Sequence, residues 1–186
     1  MLSKPILSGE RLTLRDFVPA DAGDRLALGH SPEIIRMFGG DPLNVGPLSE
    51  SSCTDWIIGL SKHPFAWAIE YANKWIGEIR LDALDQHDGR ARLAVGLYDP
   101  KLLGLGLGRE AITLLLAHAF TAMALHRVSL RVLAYNVRAI RCYSACGFVQ
   151  EGREREAALV DGERHDDIMM GILAHEFLSD GGKLGT

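Results

Sequence analysis

The chain has 186 residues, 47% hydrophobic and 24% charged, enough for one domain with a sizeable core and with no need of a second. A formal net charge of −4 with no block of lysine or arginine leaves no electrostatic footprint for nucleic acid, so any anionic ligand must be held by a local site. Three cysteines, an odd number, argue against a disulfide framework and for a reducing compartment.

In chain order, Arg11 to Phe17 alternates Leu12 and Leu14 with polar neighbours and reads as a first strand. Helical patterns follow at Ala20 to Leu28 and, behind the Ser31-Pro32 start signal, at Ile34 to Phe38. Gly39-Gly40-Asp41-Pro42 breaks the chain, and a third helix is expected from Ser49 to about Leu60. FAWAIEY and KWIGEIRLD predict a hairpin around Ala72-Asn73, followed after the polar turn DQHDGR by the strand ARLAVGLY. A helix from Leu107 to Leu125 is apolar on nearly every face and so is expected to lie buried against the sheet. RVSLRVL alternates cleanly as a strand, a helix begins after Asn136, and FVQEGRERE with RHDDIMMGIL forms a closing hairpin. The order is that of a mixed α/β sheet in a single domain, residues 1–178, with residues 179–186 as a flexible tail. No apolar signal segment opens the chain, and the longest apolar stretch, Ala111 to Leu125, is broken by Thr113, His118 and Thr121. A cytoplasmic protein without a membrane partner is therefore expected.

The stretch LLGLGLGREA, Leu102 to Ala111, carries the first chemical signal. Gly104, Gly106 and Gly108 alternate with leucines just before the long helix, so several bare backbone N–H groups can converge at its N-terminus, an arrangement that attracts phosphate. The spacing is not the G-x-G-x-x-G of a dinucleotide fold, and no Lys-Ser or Lys-Thr pair follows the glycines as in a P-loop. What remains is a pyrophosphate cradle without a metal, or a plain glycine-rich turn. His165 beside Asp166 and Asp167 has no further histidine or cysteine at ligand spacing, so no metal is expected there.

Taken together, ARLAVGLYDPKLLGLGLGREAI, RVSLRVLAYN and the helix ending in CYSACGF resemble the GNAT superfamily of acyl-CoA-dependent N-acetyltransferases, over about Lys74 to Leu173. The closest likeness is to the subgroup of ribosomal-protein N-terminal acetyltransferases (RimJ/RimL-like), which shares the G-x-G-x-G-x-E-A start, the N…GF helix and a late DG…HD hairpin, here DGERHD. The resemblance implies a mostly antiparallel central sheet with a splayed pair of strands, flanked by helices. It implies acetyl-CoA as co-substrate and a primary amine, on a small molecule or a peptide, as acceptor. The splay would lie between Leu93 to Tyr98 and Val128 to Leu133. Backbone of Val95, Gly96 and Leu97 would bind the pantetheine arm and supply the oxyanion donor. Leu103, Gly104, Leu105, Gly106, Leu107 and Gly108 would form the pyrophosphate cradle, with Asn136 and Arg141 also at the cofactor.

Tyr143 stands at the tyrosine of the family's N…Y-x-x-x-G-F pattern, where a phenol can protonate a departing thiolate; without the family it would read as a core aromatic. Asn136 also reads as a helix N-cap, and Cys142 and Cys146 as packing residues. Many family members carry a glutamate on the strand before the glycine turn, but Arg92 stands there in this chain. Glu78, with the parity of Ile76 and Arg80, is the substitute base, with Glu156 and Asp166 as alternatives and a water chain as another. Leu103 replaces the arginine or glutamine that usually heads the cradle. Glu33, Asp41, Glu50 and Asp55 in the segment expected to select the acceptor would suit a cationic amine, or be ordinary solubilising charges. A transferase of another acyl group such as succinyl and a non-catalytic acyl-CoA-binding domain remain alternatives. Pairing through edge strands, common among relatives, makes a homodimer one expectation.

Overall fold

In a computed structural model, residues 4–179 are described. The strands β1 (Leu7–Ser8), β2 (Leu12–Arg15), β3 (Ala66–Tyr71), β4 (Lys74–Asp85), β5 (Arg90–Leu97), β6 (Arg127–Leu133), β7 (Val149–Val160) and β8 (Glu163–Leu173) make one sheet in the order β1-β2-β3-β4-β5-β6-β8-β7. Every neighbouring pair is antiparallel except β5 and β6. The helices are α1 (Asp21–Leu28), α2 (Pro32–Met37), α3 (Glu50–Lys62), α4 (Leu107–Thr121), α5 (Val137–Ala145) and α6 (Ala174–Ser179). The expected tail lies outside the described residues apart from Ser179, which closes α6.

Local chemistry accounts for most boundaries. Ala72 and Asn73 take left-handed φ values of 50° and 60°, and Asp161 and Gly162 take 51° and 80°, the two-residue turns whose twist suits a hairpin. Ser49 caps α3 in a reciprocal box with Ser52, and Ser31 with Pro32 starts α2. The long helix stops at Thr121 rather than Leu125, because Ala124 turns left-handed (φ 53°) and the chain doubles back to donate from His126 N–H to the Gly89 carbonyl. Alanine gives no sequence cue for such a turn, since glycine is the usual residue there. The expected burial of this helix is seen: Leu107, Ala111, Ile112, Leu115, Leu116 and Ala119 are all at most 1% exposed.

The sheet separates two cores. One packs α4 with Leu12, Leu14, Trp67, Ile79, Leu93, Val128 and Leu130; the other packs Phe17, Ala22, Cys53, Ile57, Ala66, Ala68 and Trp75 beneath α1 and α3. Strands β5 and β6 pair only through Arg90–Arg127, Ala91–Val128 and Arg92–Ser129. Beyond those pairs Leu93 to Leu97 are held by β4 alone, and Leu130 to Leu133 by β8 alone. The strands therefore splay, and the functional cleft opens in the gap.

Candidate active site

The cleft has a volume of about 1110 Å³ and is lined by both splayed strands, the glycine turn, the start of α4 and one side of α5. Its main-chain chemistry follows from the ladder. Tyr98 N–H donates to the Ile76 carbonyl at 2.9 Å. Because bonding direction alternates along an antiparallel strand, Gly96 also faces β4, and Val95 and Leu97 turn their N–H and C=O groups into the gap. Of the three backbone positions expected to meet an acyl thioester, Val95 and Leu97 are thus the ones with free groups. Gly96 serves space: a Cβ there would lie 3.1 Å from the Tyr98 ring and 3.2 Å from Phe38.

After β5, Asp99 caps a short 3-10 turn (Pro100–Leu102), and Leu103 leads into the glycines. Gly104 and Gly106 adopt φ values of 81° and 82°, which an L side chain rarely takes, and Gly106 is the residue from which α4 starts. Leu103, Gly104, Gly106 and Gly108 line the cleft, while Leu105 is exposed and Leu107 buried at 1%. The open N-terminus of a fifteen-residue helix, with its first N–H groups unpaired, faces the same space. Arg109, Arg138 and Arg141 also line it; Arg138 is paired with Glu33 at 2.7 Å, and Arg141 makes no hydrogen bond or ion pair with a described residue. The turn, the helix dipole and Arg141 together make this end of the cleft suited to an anion.

Asn136 lines the cleft and is also bonded within the protein. Its Oδ1 accepts from Ala139 N–H at 3.1 Å as the N-cap of α5, and its Nδ2 donates to the Met37 carbonyl at 3.3 Å. It positions α5 against α2. Tyr143 lines the cleft with its ring edge-on to Phe148, and its phenol has no hydrogen bond to a described residue. Burial pushes that phenol above its ordinary range, with the Cys142 and Cys146 thiols adding to the rise, so it is held as a donor. Cys142 is half-buried and Cys146 buried, as packing residues.

Glu78 is 5% exposed and lines the cleft, opposite Gly96 in the register. Arg80 Nη1 donates to its Oε2 at 2.7 Å and the Tyr98 hydroxyl to its Oε1 at 3.4 Å. Burial pulls the Arg80 guanidinium down, but Glu78 and Asp82 more than reverse this and hold it above its usual value. The Tyr98 phenol is pushed up by burial and by Glu78. The alternative carboxylates fall elsewhere: Asp166 accepts from Glu156 N–H and Arg153 on the closing hairpin, and neither Asp166 nor Glu156 lines the cleft. The acids expected to attract an amine also lie off it. Glu33 pairs with Arg138, Asp41 closes its own turn through Leu43 N–H, and Glu50 and Asp55 are exposed. The acids that do line the cleft are Glu78, Asp82 and Asp167.

The sequence reading missed an aromatic wall. Trp75 stacks on Tyr98 (centroids 5.4 Å, 21°), while Trp56 and Phe38 meet Tyr98 edge-on at 5.4 and 5.6 Å. Arg25, 8% exposed, lies 5.0 Å from the Tyr98 ring centroid and fixes that ring from behind. These residues come from α1, the residue after α2, α3, β4 and the residue after β5, so no local pattern announces them.

A sheet with one splayed parallel pair, a glycine turn opening a helix at that splay, and a phenol across the gap define an acyl-CoA-dependent transferase. Residues 11–149 match the model of the acetyltransferase (GNAT) domain, and the chain belongs to that family. It is 30% identical over 172 residues to the SPbeta prophage-derived uncharacterized N-acetyltransferase YokL of Bacillus subtilis, covering 91% of this chain and 94% of that one. YdaF of the same organism, a relative named for ribosomal N-acetylation, is 25% identical over 174 residues, covering 90% and 94%. The solved structure of spermidine N-acetyltransferase from Vibrio cholerae, in complex with CoA and spermine, superposes with a TM-score of 0.76 at 25% identity, covering 91% of this chain and 99% of that one.

Proposed function

We propose that this protein transfers an acetyl group from acetyl-CoA to a primary amine, on a small molecule or a peptide N-terminus, by direct attack within a ternary complex. The observation that carries this reading is the set of free main-chain groups at Val95 and Leu97, beside the glycine turn and in the same cleft as the unpartnered Tyr143 hydroxyl. Family membership and the CoA-bound relative support it.

Acetyl-CoA would supply an acetyl group already activated as a thioester. Gly104 to Gly108 and the N-terminus of α4 would hold its pyrophosphate, and Arg141 its remaining phosphate charge. Val95 and Leu97 would bind the pantetheine amide as an added strand, and one of their N–H groups would face the developing oxyanion. Glu78 would accept the proton of the attacking amine, directly or through water, while Arg80 and Tyr98 fix its carboxylate. Tyr143, held protonated, would donate to the leaving sulfur.

The test is thiol release from acetyl-CoA against spermidine, spermine and a set of short peptides with free N-termini. Turnover on any of them supports the reading; coenzyme A binding without turnover on every acceptor would replace it with a binding domain.

A further inference from the structure

Arg92 departs from the family's glutamate, and the structure gives it a defined place. It is exposed and lines the cleft. It pairs in register with Asp82 on β4 and with Ser129 on β6, the last residues joined before the strands part. Strand alternation puts Arg92 on the same face of the sheet as Glu78, Arg80 and Asp82. Arg131, two residues beyond Ser129, shares that face from the other side of the gap and also lines the cleft. Two guanidinium side chains therefore flank the point where the splay begins.

The carboxylates around them are already engaged. Arg80 holds Glu78 at 2.7 Å and Asp82 at 3.0 Å, and His63 lies 3.3 Å from Asp82. Asp167 takes a single nitrogen of Arg131 at 3.1 Å and leaves the other donors of that guanidinium unused. Arg92 makes no ion pair or hydrogen bond with any described residue. A free guanidinium facing a partly engaged one is matched to a planar anion that can accept two parallel hydrogen bonds. A polyamine offers only positive charge to this end of the cleft, which Arg92 would repel.

We propose that one of the two reacting molecules carries a carboxylate that docks between Arg92 and Arg131. This rests on the transferase reading above. The carboxylate belongs either to the acceptor, as a peptide with an acidic residue near its free N-terminus, or to the acyl group, as in succinyl-CoA. From Gly96, opposite Glu78, to Arg92 is four strand residues, about 13 Å; the first two residues of an extended peptide cover about 7 Å of it, and a glutamate side chain and that of Arg92 reach across the rest.

The experiment measures kcat/KM for acetyl-CoA and succinyl-CoA with C-terminally amidated peptides that differ only by Glu or Gln at the second position. The expected result is a preference of about tenfold or more for the carboxylate in one arm, the peptide or the acyl donor. Arg92→Gln and Arg131→Gln each abolish that ratio, Arg92→Lys keeps part of it, and Arg92→Glu turns the peptide preference toward a lysine at the same position if the acceptor is the source. Turnover with no preference in either arm, or a preference that survives Arg92→Gln, would overturn the proposal while leaving the transferase intact. Turnover confined to spermidine or spermine would overturn this inference alone; turnover with none of the combinations and with neither polyamine would overturn the transferase reading, and this inference with it.

Discussion

Glu110, in the first turn of α4, accepts the backbone N–H of Arg11 at 2.8 Å and its Nε at 2.9 Å, while Nη1 of the same arginine donates to the Leu105 carbonyl at 2.8 Å. The pair ties the glycine turn to β2 across 99 positions of sequence. Leu105 C=O is drawn outward to Arg11, which helps leave neighbouring N–H groups directed at the cleft.

The Glu110 carboxyl sits below its ordinary range: burial acts upward, but the bonds from Arg11 and Leu12 outweigh it. A carboxyl depressed in the folded state stabilises above its unfolded value, about 4.3, and loses that contribution as pH falls through the lower folded value. Glu110→Ala is expected to cost about 1–3 kcal/mol at pH 7, or about 2–4 °C in Tm per kcal/mol. The difference from wild type should shrink as thermal melts are taken below about pH 4.

Gly106 combines a φ of 82° with a neighbour in the way, since a Cβ would lie 3.3 Å from Arg11 Nη2. Gly106→Ala should cost about 1–2 kcal/mol from the left-handed backbone alone. It should also weaken coenzyme A binding by calorimetry, whereas Gly152→Ala, in open space on β7, should leave that binding unchanged.

Tyr143→Phe removes the hydroxyl and keeps the ring against Phe148. Steady-state kcat should fall about 10²-fold with the Kd for coenzyme A preserved. Because the phenol is raised above its ordinary value of about 10, it stays protonated at neutral and mildly alkaline pH, and the wild-type profile should show no descending limb from Tyr143 below about pH 10.

Glu78→Gln should lower kcat/KM by about 10²-fold with coenzyme A affinity unchanged, as loss of a proton acceptor does. Tyr98→Phe keeps the stack on Trp75 and loses only the 3.4 Å hydrogen bond to Glu78, so a drop of a few fold is expected from kinetics on the same acceptor.

What could be read from sequence was local. Alternation in RVSLRVL, the Ser49 cap, the turn residues Asn73 and Gly162 and the glycines before α4 each act within a few residues, and each marks its element. Glu78 shares its face with Arg80 as a two-residue repeat implies, but the expected parity with Ile76 fails, because a bulge makes Ile76 an extra residue and turns it into the α4 core. The aromatic wall around Tyr98 and the Arg11 to Glu110 clamp were not, since they join segments far apart in sequence. For Glu33, Asp41, Glu50 and Asp55 the charge was visible in the sequence but the choice between an amine site and a solvated surface was not, because whether a carboxylate faces the cleft is set by packing. Short strand β1 and helix α6 carry too few residues to show a period.

Calorimetric titration of the full chain with acetyl-CoA tests the central claim most directly, because the splay, the glycine turn and α5 must all contribute to binding. The account predicts one site per chain with a micromolar dissociation constant, weakened by Gly106→Ala and preserved in Tyr143→Phe. Absence of binding to acetyl-CoA and to free coenzyme A at millimolar concentration would contradict it.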